Sequence, residues 1–191
     1  MKNSSGFTHK MGFAYQIVHS QFGEIGIVFK DKKVIRIILP RPRPSKKMKN
    51  IIQEIYPKAL PRDLPIINKF CQKIEIFLSG KPVNFSLDVI DLFQFYNFQK
   101  KVLLLERQIP YGWVSTYGRL AKKLSRRKAA RAVGQALARN PFPIVFPCHR
   151  TVKSDGTLGG YAGGLKMKRM LLELEGLKFD KYGRVLIKKF W

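Results

Sequence analysis

The pattern of apolar residues changes along the chain, and this change constrains the fold more than any other feature of the sequence. Residues 13–20, 24–30 and 33–39 are rich in β-branched and aromatic residues and are separated by short turns, which is typical of strands. Three such strands in succession predict a small antiparallel sheet. Apolar residues then recur at helical spacing, so helices are expected at about 48–56 and 63–79. The first part of the chain is therefore predicted to be an α/β domain.

Breaks in this pattern mark the connections. The run Pro-Arg-Pro-Arg-Pro at 40–44 cannot be helical, because proline lacks the backbone donor and restricts the residue before it. Ser-Gly-Lys-Pro at 79–82 ends the second helix. Residues 83–95 are expected to form a strand and a connection to the second half. We therefore predict two domains, an N-terminal one over 1–90 and a C-terminal one over 91–191.

The second half of the sequence is predicted to be mainly helical. Helices are expected at about 96–107, 117–124, 129–139 and 166–175. Thr116 has the position and the side chain of an N-cap for the second of these helices. A helix, a short basic turn and a helix rich in small residues have the outline of a helix-turn-helix. Many helical hairpins share this outline, so it does not by itself indicate DNA binding.

The charge of the chain limits the classes of partner that it is expected to bind. It has 37 Lys and Arg residues against 12 Asp and Glu residues, and a chain with a net charge of +25 usually meets a polyanion. Nucleic acid is the leading candidate, and a membrane surface is the alternative. Between Gln99 and Arg150, Glu106 is the only acid, whereas a solvated helix face normally mixes both signs. The segment therefore favours phosphate contact. Its twelve basic residues are Lys100, Lys101, Arg107, Arg119, Lys122, Lys123, Arg126, Arg127, Lys128, Arg131, Arg139 and Arg150.

No segment of the sequence predicts membrane insertion or export. The longest apolar runs are short and contain charges, so a transmembrane helix is not expected. Residues 1–10 lack an apolar stretch of signal-peptide length. We therefore expect a cytoplasmic protein that is associated with the nucleoid when it is bound to DNA.

The chain has two cysteines, Cys71 and Cys148, which are too few for a disulfide framework. The histidines are scattered and neither CxxC nor HxxxH spacing occurs, so no metal site is predicted. Cys71 lies beside the apolar stripe of its predicted helix, which indicates a buried structural thiol. Cys148 is followed by His149 and Arg150, cationic neighbours that favour a thiolate. A core cysteine at the end of the buried segment 144–146 is the other interpretation, and local chemistry leaves both open.

Several motifs in the second half occur in a fixed order. They are Ile109-Pro110-Tyr111-Gly112, Thr116-Tyr117-Gly118, Ala129-Ala130-Arg131-Ala132-Val133-Gly134, Asn140-Pro141, Pro147-Cys148-His149-Arg150, Gly159-Gly160-Tyr161-Ala162-Gly163-Gly164-Leu165 and Leu174-Glu175-Gly176. Together these motifs resemble the O6-alkylguanine-DNA alkyltransferase family, also called methylated-DNA-protein-cysteine methyltransferases. The resemblance covers about 95–179, and the N-terminal half matches only in general layout.

The resemblance implies a fold and a reaction. The fold is a ribonuclease-H-like α/β domain followed by a mainly helical domain with a helix-turn-helix. The reaction moves the O6-alkyl group of a guanine in DNA to Cys148 as a stable thioether, so each molecule acts once and needs no cofactor. His149 would take the thiol proton through a water, Glu175 would hold the imidazole and favour its cationic form, and Tyr117 would donate a hydrogen bond to the leaving base.

The same resemblance implies how DNA is held. The target nucleotide must leave the stacked duplex, and Arg131 would fill the gap, since its flat guanidinium stacks and stays charged. A helix made thin by small residues could approach the minor groove of double-stranded DNA closely, with the protein acting as a monomer. The other implied DNA-contacting residues are Arg126, Lys128, Ala129, Ala130 and Gln135, together with Tyr117. The implied base pocket consists of Asn140, Thr151, Leu158, Tyr161 and Ala162.

Three positions depart from the family pattern. Ala162 stands where many relatives have serine, and Gly160 replaces a larger polar residue. Thr151 replaces an apolar β-branched residue and adds a hydroxyl group. These departures concern the range of alkyl groups that the protein accepts, and not the reaction itself.

Two functions of other classes stay open at this point. The first is a non-enzymatic DNA-binding protein that recognises alkylated bases or regulates transcription; relatives without transfer activity lack the cysteine. The second is a cysteine hydrolase that uses Cys148, His149 and Glu175, which accounts poorly for the basic helices.

Overall fold

The computed structural model describes residues 12–41, 46–187 and 190–191 of the chain. Most of the proline-rich run at 40–44 and the N-terminal segment considered for a signal peptide lie outside the described residues. Within the described ranges, no helix has both the length and the apolar character that crossing a membrane requires.

A sheet forms the first half of the structure. Its strands β1 (Phe13–Ser20), β2 (Gly23–Lys30) and β3 (Lys33–Ile38) are antiparallel and lie within one residue of their predicted positions. A short strand, β4 (Leu60–Pro61), pairs in parallel with β1, so the strand order is β3-β2-β1-β4. Two residues contain no alternation from which β4 could have been predicted.

Two helices cover the faces of this sheet. α1 (Met48–Ile55) packs on one face and α2 (Pro65–Leu78) packs on the other, where the larger core lies. Gly26 lets α1 come close to the sheet, because a Cβ at this position would lie 2.9 Å from Cδ1 of Ile52. Pro65 occupies the first turn of α2, where its missing N–H has no helical partner to lose. Both helices agree with the sequence prediction to within two residues.

Residues 83–95 form the predicted connection to the second half, but the strand expected among them is absent. Ile90 forms only an isolated parallel bridge with Val34. The side chains of Ser86 and Asp91 each accept a hydrogen bond from a backbone N–H two residues further on. Such local bonds compete with strand pairing, which explains why the β-type residues here form turns.

The second half is mainly helical, as predicted. Its helices are α3 (Asn97–Glu106), α4 (Tyr117–Lys123), α5 (Ala130–Ala138) and α6 (Gly164–Leu174). Thr116 caps α4, because its side-chain oxygen accepts a hydrogen bond of 3.2 Å from a backbone N–H of the first turn. α4, the following turn and α5 form the predicted helix-turn-helix outline.

A short strand pair links the helix-turn-helix to the segment that contains Cys148. β5 (Ser115–Thr116) directly precedes α4, and β6 (Thr151–Val152) directly follows a 3₁₀ turn at Cys148–Arg150. The two strands pair in parallel. This pairing brings the start of α4 beside the cysteine.

One hydrophobic core extends through both halves of the described structure. It joins Phe29 of the sheet and Phe77 of α2 to Leu103 of α3 and Val133 of α5. Cys71 belongs to this core, and burial raises the pKa of its thiol to about 12, which confirms the interpretation as a buried structural cysteine. The division into two domains near residue 90 stays a prediction.

Candidate active site

A tight, buried turn delivers Cys148. Residues 142–147 are buried, and the backbone N–H of Phe146 donates to the carbonyl of Phe142 at 3.0 Å. Ile144 in this turn has a φ of 77°, in the left-handed region that is unfavourable for a β-branched residue. Such a conformation persists only where the surroundings impose it. The turn therefore holds the cysteine in one place.

Asn140 braces this turn and also reaches the sulfur. Its Oδ1 accepts a hydrogen bond from the backbone N–H of Phe142 at 2.9 Å, and its Nδ2 donates to the carbonyl of Phe146 at 2.8 Å. The same Nδ2 lies 3.3 Å from Sγ of Cys148. A donor at this distance stabilises negative charge on the sulfur.

Burial has the largest effect on the ionisation of the Cys148 thiol. The residue is 8% exposed, and burial, followed by the charge of Glu106, raises its pKa to about 12. The expectation that His149 and Arg150 act as cationic neighbours and favour a thiolate stays a prediction. Both of these neighbours are bound to the carboxylate of Glu175, as the following contacts show.

His149, the residue after the cysteine, binds a buried carboxylate. Its Nε2 is 2.8 Å from Oε1 of Glu175, and both side chains are fully buried. Its Nδ1 is also buried and has no hydrogen-bond partner among the described residues. Because the carboxylate can only accept, Nε2 holds the ring proton and Nδ1 presents a free lone pair. This is the geometry of a base with an orienting group behind it.

Burial and Glu175 have opposite effects on the pKa of His149, and the effect of Glu175 favours the cationic imidazole, as the resemblance implies. Burial lowers the pKa of His149 and outweighs the opposing effect of Glu175. A neutral imidazole can accept a proton, whereas a cationic one cannot.

Arg150 is an internal anchor for Glu175. Its Nε donates to the two carboxylate oxygens at 3.0 and 2.9 Å, and its Nη2 donates to Oε1 at 2.9 Å. The backbone N–H of Gly112 donates to Oε2 at 3.0 Å. Burial alone would raise the pKa of Glu175, but His149 and Arg150 lower it to about 2. The grouping of Arg150 with the phosphate-contacting residues is therefore wrong.

Tyr117 lies between α5 and the glycine-rich loop 156–164. Its ring is 3.7 Å from the place of a Cβ on Gly134, and its hydroxyl is 2.1 Å from the place of a Cβ on Gly159. A side chain at Gly159 would therefore displace the tyrosine. Burial, followed by the nearby Cys148, raises the pKa of Tyr117 to about 12, so its hydroxyl keeps its proton and can donate it in a hydrogen bond.

Tyr161 is the loop residue that packs against the imidazole of His149. Its ring and that of His149 meet edge to face with centroids 6.3 Å apart, and its hydroxyl is buried without a partner among the described residues. Gly160 and Ala162 on either side are exposed. The departures from the family pattern at these two positions therefore lie at the surface of the loop.

Two residues that the resemblance places in the base pocket, Leu158 and Thr151, make their contacts elsewhere. Leu158 packs with Val152 and Leu172 in a cluster that does not contain Cys148. Thr151 is fully buried, and its hydroxyl donates to Oε1 of Glu106 at 3.1 Å. Thr151 therefore faces the protein interior.

The residues implied in DNA contact lie mostly on one exposed surface of the helix-turn-helix. Arg126 and Lys128 are exposed in the turn, and Arg131 and Gln135 are exposed on α5. Ala129 and Ala130 are half-buried where α5 begins. No carboxylate of the described ranges forms an ion pair with these basic side chains.

Two further basic residues bind the protein itself. A guanidinium nitrogen of Arg107 donates to the carbonyl of Phe85, and Nε of Arg119 donates to the carbonyl of Trp191 at 3.0 Å. These contacts hold the connection and the C-terminal residue in place. Phosphate contact therefore stays a prediction for the other nine of the twelve basic residues, without Arg107, Arg119 and Arg150.

Two buried charged residues near the site, Lys168 and Glu106, were not predicted from the sequence. Both side chains are fully buried, and Nζ of Lys168 donates to the carbonyl of Thr151 at 2.6 Å. The sequence did contain a sign that Glu106 is unusual, since it is the only acid in a long basic segment. No such sign distinguished Lys168, because it is one of several basic residues on an amphipathic helix. In the described part of the chain, no group of three metal-ligating side chains lies together.

Sequence comparison relates the chain to a group of DNA-acting proteins. Residues 97–177 match the family described as 6-O-methylguanine DNA methyltransferase, DNA binding domain. A methylated-DNA–protein-cysteine methyltransferase of Methanothermobacter thermautotrophicus is 37% identical over 157 residues, which cover 82% of each chain. A protein of the same name from Saccharolobus islandicus is 41% identical over 120 residues, 63% of this chain and 76% of the relative.

Solved structures share the fold. Mycobacterium tuberculosis OGT in complex with DNA superimposes with a TM-score of 0.69 at 28% identity, covering 85% of this chain and 92% of that one. The O6-methylguanine-DNA methyltransferase of Pyrococcus kodakaraensis strain KOD1 gives a TM-score of 0.66 at 29% identity, covering 86% and 99%. The α/β part and the helical part therefore both have counterparts of known structure.

Proposed function

The chain belongs to the family of methylated-DNA–protein-cysteine methyltransferases, and we propose that it repairs DNA by moving the O6-alkyl group of a damaged guanine to Cys148. One observation carries this proposal. The residue after the cysteine, His149, has a buried, unpartnered Nδ1 and a carboxylate, Glu175, bound at its other nitrogen. A base prepared in this way beside a buried thiol suits the removal of the thiol proton.

The proposed reaction is a displacement at the alkyl carbon. The thiol proton of Cys148 passes through a water to Nδ1 of His149, and Glu175 stabilises the imidazolium that results. The thiolate then attacks the alkyl carbon, the S–C bond forms as the C–O6 bond breaks, and the electron pair leaves with the guanine. Asn140, 3.3 Å from the sulfur, stabilises the negative charge before the attack.

The leaving guanine needs stabilisation as well. The hydroxyl of Tyr117 keeps its proton and is proposed to donate a hydrogen bond to the departing base, which reduces the cost of its negative charge. Asn140, Tyr161 and Ala162 are the proposed residues of the base pocket that remain near the turn and the loop.

The product limits each molecule to one reaction. A thioether at Cys148 is stable to the imidazole base, and no step of the proposed sequence restores the thiol. The alkyl group comes from the DNA, so the reaction needs no cofactor. The protein is consumed as it repairs, and activity is stoichiometric.

The buried position of the thiol requires the base to leave the duplex. Cys148 is 8% exposed, and a guanine stacked inside DNA cannot reach it, so we propose that the nucleotide is flipped out. Arg131, exposed on α5, would take the vacated place in the stack. The other proposed contacts, on the minor-groove side of double-stranded DNA, are those of Arg126, Lys128, Ala129, Ala130 and Gln135.

Other properties follow from this proposal. The similarity to a protein solved in complex with DNA supports DNA as the partner. The proposed catalytic groups all belong to one chain, so a monomer is sufficient. A DNA substrate also favours the cytoplasm, in association with the nucleoid, as the place of action.

Mixing the protein with a duplex that contains O6-methylguanine tests the proposal. We expect the peptide that contains Cys148 to gain the mass of one methyl group, with no more than one group per molecule. The variant Cys148→Ser should not react, and Cys71→Ser should react like the wild type, because Cys71 lies in the core near Gln16. An unmodified Cys148 peptide from protein that binds the duplex would overturn the proposal.

A further inference from the structure

Three polar side chains lie buried together next to the turn that contains Cys148. Glu106 ends α3, Thr151 begins β6 and Lys168 lies in α6, and each is 0% exposed. The hydroxyl of Thr151 donates to Oε1 of Glu106 at 3.1 Å. Nζ of Lys168 donates to the carbonyl oxygens of Thr151 at 2.6 Å and of Gly159 at 3.3 Å. Thr151 thus joins a carboxyl group to an amino group.

Packing alone does not account for this cluster. Oε2 of Glu106 is buried without a hydrogen-bond partner among the described residues. Lys168 has three N–H donors when charged, and its hydrogen bonds are to two carbonyl oxygens. Burying an incompletely bonded carboxyl and an amino group costs free energy that a pair of apolar side chains would not. The cluster therefore points to a role in the chemistry of its surroundings.

The charges of the cluster act on the reacting groups. The negative charge of Glu106 disfavours a thiolate at Cys148, and the positive charge of Lys168 favours one. The side chains that interact with Glu106 come from every element around it: Arg150 of the 3₁₀ turn, Thr151 of β6, Lys168 of α6, Tyr117 of α4, Tyr161 of the loop and Cys148 itself. Glu106 thus lies within electrostatic reach of both the proposed nucleophile and the proposed donor to the base.

We propose that Glu106 is a positioning residue of this site: joined to Lys168 through Thr151, it acts electrostatically on Cys148 and opposes the thiolate when it is ionised. This inference rests on the function proposed above, but it concerns the ionisation of the thiol and not the identity of the alkyl donor. In this arrangement Lys168 supports the thiolate, and Glu106 limits that support.

The direction of the effect depends on pH. Burial raises the pKa of Glu106 to about 8 and lowers the pKa of Lys168 to about 8. Below this range Glu106 is neutral and Lys168 is charged, which favours the thiolate. Above it Glu106 is charged and Lys168 is neutral, which disfavours the thiolate. The reactivity of Cys148 should therefore rise less steeply with pH than the reactivity of an isolated thiol does.

The variant Glu106→Gln tests this directly, because it keeps the shape of the side chain and removes its charge. We expect the same rate as the wild type near pH 6.5 and a rate about threefold to tenfold higher near pH 9, as a shift of up to about one pKa unit produces. The second variant, Thr151→Val, removes the hydrogen bond that stabilises the ionised carboxyl, so it should change the rate near pH 9 in the same direction. Thr151→Val therefore tests the same inference if Glu106→Gln does not fold.

Two readouts separate this inference from the proposed function. The first is alkylation of Cys148 by iodoacetamide against pH, followed by peptide mass spectrometry, which needs no DNA. The second is alkyl transfer from the O6-methylguanine duplex. If the duplex does not react with the wild type, the proposed function fails, while the iodoacetamide profiles still decide the role of Glu106.

A matched control is Glu173→Gln, which removes an exposed carboxylate of α6 that pairs with Arg169. Its iodoacetamide profile should superimpose on that of the wild type. Profiles of Glu106→Gln and Thr151→Val that also superimpose on the wild type, or that fall below it near pH 9, would overturn the inference.

Discussion

Nε2 of His149 and Oε1 of Glu175 are 2.8 Å apart, 26 positions apart in sequence, and hidden from solvent. α6 ends directly before Glu175 and so brings the carboxylate back to the turn that contains the cysteine. The remaining bonds of the carboxylate come from Arg150 and Gly112. Because both oxygens are bonded, the orientation of the imidazole depends on one buried, fully paired group.

Replacing Glu175 by glutamine should lower stability and alkyl transfer together. The variant leaves Arg150 as a buried charge without its carboxylate, and breaking a buried pair in this way costs about 3–5 kcal/mol. Denaturant unfolding measures the first effect, and single-turnover transfer to Cys148 measures the second. Glu173→Gln is the control, because it removes an exposed ion pair worth at most about 1 kcal/mol. Similar losses in both variants would contradict the importance of the buried pair.

Acid should weaken the fold through the same carboxylate. The pKa of Glu175 falls from an ordinary 4.5 to about 2 in the folded protein, so the unfolded chain binds this proton more tightly. The associated stability is present above pH 4.5 and is lost as the pH falls towards 2. His149, whose pKa is also lowered, adds a loss with the same sign below its ordinary value of 6.5. Measuring the free energy of unfolding against pH tests both contributions. In Glu175→Gln the free energy of unfolding should decrease less steeply at the acid end than in the wild type. Parallel curves for the two proteins would show that Glu175 is not the source of the acid sensitivity.

A methyl group at Gly159 should disturb the site through Tyr117. A Cβ there would lie 2.1 Å from the tyrosine hydroxyl, so Gly159→Ala must displace that side chain. We expect alkyl transfer to slow by about tenfold or more, since small misplacements of reacting groups have effects of that order. The neighbouring variant Gly160→Ala is the control, because a Cβ there meets nothing within 4 Å. Equal rates for both variants would show that the position of Tyr117 does not matter.

Replacing Arg131 by alanine should slow the repair of duplex DNA but not the reaction with a free alkylated base. If this side chain fills the gap left by the flipped nucleotide, Arg131→Ala should slow repair of a duplex by about tenfold or more and leave reaction with a free O6-alkylguanine base unchanged. Arg127→Ala, which removes an exposed charge of the preceding turn, should weaken duplex binding in a salt-dependent way without changing transfer from saturating DNA. An equal loss of Arg131→Ala on both substrates would remove the flipping role.

Local patterns were sufficient for most of the fold. The strands β1 to β3 and the helices α1 to α6 lie within about two residues of the sequence predictions, because each is set by periodicity over a few neighbouring positions. The strand predicted within 83–95 failed because the side chains of Ser86 and Asp91 accept hydrogen bonds from backbone N–H groups two residues further on. β4 could not be predicted, since a strand of two residues exists only through its pairing with β1.

The sequence by itself determined which chemical groups are present and in what order: a thiol followed by an imidazole, a distant carboxylate, and basic residues along a helix-turn-helix. Only the tertiary structure decided their charge states and directions. It turned Arg150 inward to a carboxylate 25 positions away, lowered the pKa of His149 by burial, and buried Glu106 against Thr151, 45 positions distant. Periodicity is a local property of the chain, whereas the charge of a side chain depends on burial and on partners that only folding brings together.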